Sequence, residues 1–82
     1  MARYIVRIRY SSPDELKDGN RYILFERYHR KLKSWVIMNQ FKLEYSKLIN
    51  DYIMPVEVIS FIRKLSDDNY DIYYDYLNQN IE

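Results

Sequence analysis

Residues 3–10 alternate: Tyr4, Val6, Ile8 and Tyr10 fall on one side, and Arg3, Ile5, Arg7 and Arg9 on the other. A period of two predicts a strand with one apolar and one basic face. In the stretch that follows, Ser12 can cap a helix, Pro13 suits the first helical position and Glu15 completes a capping box. One short helical turn is predicted there, ended by Asp18-Gly19-Asn20.

From Arg21 the spacing changes to three and four. Leu24, Phe25, Tyr28, Leu32, Trp35 and Val36 share one face at 100° per residue, with Glu26, Arg27, Arg30, Lys33 and Ser34 opposite. This predicts an amphipathic helix over 21–37, capped by Asn20 and aided by the Glu26-to-Arg30 charge order. No Gly, Pro or Asn stands near His29-Arg30-Lys31 to favour a tight hairpin instead. A second stripe, Met38, Phe41, Tyr45, Leu48, Ile49 and Tyr52, is rotated to nearly the opposite side, which predicts a break near Asn39-Gln40 and a new helix over 40–53. Pro55 ends that segment and opens a third, 55–66, with Val58, Phe61, Ile62 and Leu65 on its apolar face.

The pattern of the last segment, 67–82, is compatible with two structures. After a turn or cap at Ser66-Asp67-Asp68-Asn69, Tyr70, Tyr73, Leu77 and Ile81 would line a helix; Tyr70, Ile72, Tyr74 and Tyr76 would line a strand with Asp71 and Asp75 behind. The strand alternative gives residues 3–10 a hydrogen-bonded neighbour and sets aspartates beside Arg7 and Arg9. The expected fold class is therefore α+β and mostly helical: one small domain over 1–82 with an N-terminal strand, two to three amphipathic helices and an acidic aromatic end.

A chain of 82 residues buries a modest share of its apolar surface, so a homodimer is expected to share the burden. It has no cysteine, which removes disulfides and thiolate chemistry and points to an intracellular setting, cytoplasmic or the host cytoplasm for a viral product. Its longest apolar run, Trp35 to Met38, is too short to span a bilayer, so no membrane association is expected. With one histidine, His29, and no carboxylate cage or EF-hand spacing among Asp67, Asp68, Asp71 and Asp75, neither a metal, a cofactor nor a catalytic site is expected. The single glycine leaves no material for a phosphate-cradling loop.

Charge divides the chain. Residues 67–82 hold five acidic residues and no Lys or Arg, while residues 1–66 carry thirteen basic residues against seven acidic ones. Together with ten tyrosines, this suggests a contact surface. The leading expectation is a non-enzymatic interaction module that binds, and inhibits or modulates, a larger protein or nucleoprotein complex. Small viral or phage accessory proteins that act against host defence have this size and composition. Its contact residues would be Asp71, Tyr73, Tyr74 and Asp75. The alternative is a dimeric nucleic-acid-binding regulator using Arg3, Arg7, Arg9, Arg27, Arg30 and Lys31. An Arg-bearing strand followed by two helices resembles, in element order alone, the ribbon-helix-helix arrangement, although the strand-to-helix loop is longer and the inter-helix turn pattern is absent.

Overall fold

The computed structural model of the chain describes residues 4–12 and 19–78. Its elements are β1 (Ile5–Tyr10), β2 (Tyr22–His29), β3 (Ser34–Lys42), β4 (Glu44–Ser46), β5 (Asp51–Ile53), α1 (Val56–Asp67), β6 (Asp71–Tyr74) and a 3-10 turn, Asp75–Asn78. Four strands form a mixed sheet in the order β3-β2-β1-β6, antiparallel except for the parallel pair β1 and β6. β4 and β5 make a separate hairpin.

The fold is thus mostly β, with one α-helix among the described residues, and the expectation of a mostly helical chain is corrected. Residues 21–37, read as a helix, are β2, a turn and the first part of β3. The cause lies in Ile23, Leu24, Phe25 and Glu26, all buried. β2 is an interior strand covered on both faces, so its run of apolar residues loses the alternation of a half-exposed strand. Ile23 and Phe25 face the helix; Leu24 and Glu26 face the other way. The three-and-four spacing was the sum of two sheet faces. The hairpin turn needs no glycine because Lys33 takes positive φ (52°) and Leu32 N–H donates to His29 Nδ1 at 3.2 Å. Leu32, expected in the core, is exposed at that turn.

Residues 40–53, also read as a helix, form the end of β3 and the β4-β5 hairpin, whose turn closes through Asn50 at φ 55° and a Tyr45 hydroxyl donated to Asn50 Oδ1. Phe41 and Tyr52 reach the core, but Leu48 and Ile49 of the same stripe are exposed. In β3 the pairing shifts from Phe25 opposite Asn39 to Glu26 opposite Ile37, leaving Met38 as a bulge. With strands after β1 instead of two helices, the ribbon-helix-helix element order is absent.

The expected helix over 55–66 is α1. Its C-terminus is a Schellman motif: Asn69, at φ 64°, donates its N–H to Ser66 O, and Tyr70 donates to Leu65 O. That reversal turns the chain into β6, which lies along β1 with Ile5 opposite Asp71 and Arg7 opposite Tyr73. Residues 3–10 therefore find their second neighbour within the chain, as the strand alternative for the last segment required. The core fills the space between the sheet and α1. Val6, Ile8, Ile23 and Phe25 meet Val58, Leu65, Phe61 and Ile62, and Phe25 packs edge-on against Phe61 at 4.8 Å and Phe41 at 5.7 Å. The short helical turn expected from Pro13 onward lies outside the described residues; Gly19 at φ 77° does form a bend before β2.

Candidate functional site

The sheet face turned away from α1 carries the charge of β1. Arg7 and Arg9 project there by alternation, and Glu26 of β2 stands between them, opposite Arg7 in register. Glu26 Oε1 accepts from Arg7 Nε and Arg9 Nε, each at 2.7 Å, and Oε2 accepts from Arg9 Nη2 at 3.2 Å. Burial alone would raise the Glu26 carboxyl; the hydrogen bonds and positive charges of Arg9 and Arg7 outweigh it and hold the pKa below the usual 4.5. The Arg7 guanidinium also lies 4.4 Å over the Trp35 ring, which meets Tyr28 edge-on at 5.3 Å.

Glu26, whose charge pair was expected to run along a helix to Arg30, thus pairs across the sheet with Arg7 and Arg9. One expectation about the basic strand is corrected. β1 is interior, with β2 and β6 along its two edges, so it has no free edge with which to form a two-chain ribbon. Arg3 lies outside the described residues. The remaining nucleic-acid candidates, Arg27, Arg30 and Lys31, come together elsewhere, at the β2-β3 turn.

β6 is one edge of the sheet, and a cleft of about 560 Å³ runs beside it, lined by Ser66, Tyr70, Asp71, Ile72, Tyr73 and Tyr74. Three of the four contact residues expected from the sequence are in that lining, and Asp75 follows directly in the 3-10 turn. Tyr73 is 55% exposed and Asp75 is exposed, whereas Ile72 packs against the core. Asp71 donates its N–H to Tyr4 O at 2.9 Å, so in parallel pairing Asp71 and Tyr73 turn their backbone groups toward β1. The groups of Ile72 and Tyr74 consequently point to the outer edge, where no strand pairs among the described residues. Beside them, Asp67 and Asp68 are exposed at the end of α1.

A third feature had no signal in the sequence beyond its basic residues. At the β1-β2 end of the sheet, Tyr4, Ile5, Arg27, Tyr28, His29, Arg30 and Lys31 bound a cavity of about 400 Å³. The Arg27 guanidinium lies 3.9 Å over the Tyr4 ring, and its buried Nε has no hydrogen-bond partner.

Among the described residues, no three His, Asp or Glu side chains are grouped to hold a metal, and no helix is long and apolar enough to cross a membrane. The chain matches no family model, no curated protein and no solved structure.

Proposed function

We propose that the protein is a non-enzymatic interaction module that captures an extended, basic segment of a larger protein, or of the protein part of a nucleoprotein complex, along β6, and thereby modulates or inhibits it. The observation that carries this reading is an open sheet edge with a cleft beside it. An added strand would accept and donate backbone hydrogen bonds at Ile72 and Tyr74, while Tyr73 and Tyr74 supply aromatic contact area. The exposed carboxylates of Asp67, Asp68 and Asp75 favour a positively charged segment and speed its arrival.

The dimeric nucleic-acid reading has less support, since Arg7 and Arg9 share Glu26 and β1 is closed on both edges. A displayed library of short peptides, sorted on the purified protein, tests the proposal. Basic sequences of alternating apolar residues should be enriched. Asp75→Lys should reduce their association rate by roughly tenfold at low salt, within the range of electrostatic steering. Tyr74→Pro removes an outward N–H without touching the β1 ladder and should abolish binding, whereas Tyr74→Ala keeps the N–H and should only weaken it. Enrichment with no charge preference that both Asp75→Lys and Tyr74→Pro leave unchanged would overturn the reading, as would retention on nucleic acid at physiological salt that depends on Arg7 and Arg9.

A further inference from the structure

The cavity at the β2-β3 turn is separate from the β6 edge and has a different chemistry. We propose that it binds a nucleoside 5′-phosphate, either free or as the 5′ end of a strand, with the phosphate on Arg27 and Lys31 and the base against Tyr4. Three side chains in the wall, Arg27, Arg30 and Lys31, are cationic, and no carboxylate is among the described lining residues. Such a wall favours a dianion over a singly charged carboxylate.

Arg27 is the centre of the argument. One face of its guanidinium is against the Tyr4 ring at 3.9 Å, which holds the group at the cavity wall. The guanidinium fork suits two phosphate oxygens at once. His29 Nδ1 is occupied by the Leu32 N–H, which leaves its hydrogen on Nε2 and makes the neutral ring a donor as well. Tyr4 is half exposed, with Arg27 over its ring and Tyr70 5.5 Å away, and its remaining open surface is where a base can stack. A cavity of about 400 Å³ lies in the range of small-molecule sites, roughly 300–1,000 Å³.

The test uses isothermal titration calorimetry, which registers binding whichever face of the sheet the ligand meets. Adenosine and cytidine monophosphates, adenosine, inorganic phosphate, and short oligonucleotides with and without a 5′-phosphate are titrated in turn. The monophosphates are expected to saturate, with nucleoside and phosphate alone at least roughly tenfold weaker, since each lacks one half of the recognition. Lys31→Ala, at an exposed turn position, and Arg27→Gln should each weaken the monophosphates by roughly tenfold. Tyr4→Ala should weaken the monophosphates and leave inorganic phosphate unchanged. Equal binding of the free monophosphates and the 5′-phosphorylated oligonucleotide, or binding of the oligonucleotide alone, supports the site and identifies its source. No saturation by any phosphorylated probe overturns it, as does saturation that Lys31→Ala and Arg27→Gln both leave intact. Asp75→Lys, at the peptide cleft, is expected to change none of these titrations, so failure of one proposal is distinguishable from failure of the other.

Discussion

Replacing Glu26 by Gln keeps the side chain's shape and removes the charge that Arg7 and Arg9 share. A charge-assisted hydrogen bond contributes about 1.5–3 kcal/mol when buried. Here Glu26 makes three, to guanidinium groups whose side chains are 29% and 21% exposed, so water recovers part of the loss. We expect a cost of about 2–4 kcal/mol, below the ~3–5 kcal/mol of breaking a fully buried pair. In a chain this small that lowers Tm by about 10–25 °C. Urea and thermal unfolding of both forms at pH 7 gives the number, and a double-mutant cycle with Arg9→Gln isolates the pair.

The pH dependence supplies an independent check. Because the folded carboxyl titrates below the usual 4.5, the unfolded chain takes up its proton first as pH falls. The contribution of Glu26 is therefore complete above about pH 4.5 and is lost as pH drops through the lower, folded value. Wild type should lose stability in that acid window more steeply than Glu26→Gln, and the gap between them should close. Unfolding midpoints at pH 7 that agree within error, or parallel acid profiles, would refute the claim that this carboxylate organises the basic face.

Phe25→Ala removes a fully buried ring wedged between Phe41 and Phe61 and should cost about 3–5 kcal/mol in urea unfolding. Leu32→Ala, at the exposed turn, should shift the same midpoint by less than about 0.5 kcal/mol, where a core helix position would have cost several times more. Lys33→Gly relieves a positive φ of 52° and should stabilise by about 0.5–1 kcal/mol, read as a higher Tm. Tyr10 is held protonated by burial and by the nearby charges of Tyr76 and Asp51, so its folded pKa lies above the usual 10.0. The unfolded chain loses that proton first as pH rises, and Tyr10→Phe should flatten the stability loss beginning near pH 10.

Local signals determined several parts of this protein. Alternation alone identified β1 and its basic face, and Pro55 with the stripe Val58, Phe61, Ile62 and Leu65 identified α1. Asn69 marked a turn or cap, but the tyrosines after it left helix and strand both open until pairing with β1 decided for β6. In β1 and α1 the element buries one face, so its period survives in the sequence.

Tertiary structure decided the rest. β2 is covered on one side by α1 and on the other by the Arg7-Glu26-Arg9 group, and an element buried on both faces has no single period to read. Leu24, Phe25 and Tyr28 then imitate a helix, and the turn at Lys33 gives no warning because it uses a lysine in the left-handed region. The partner of each arginine was equally hidden. Glu26 lies 19 residues from Arg7, and Tyr4 is separated from Arg27 by the whole of β1 and the loop beyond it. Only the register of β1 on β2 brings those side chains together. One set of basic residues thereby shares a carboxylate on the sheet, while Arg27 and Lys31 are gathered around a cavity, because pairing between distant segments depends on which faces the sheet buries rather than on any local pattern.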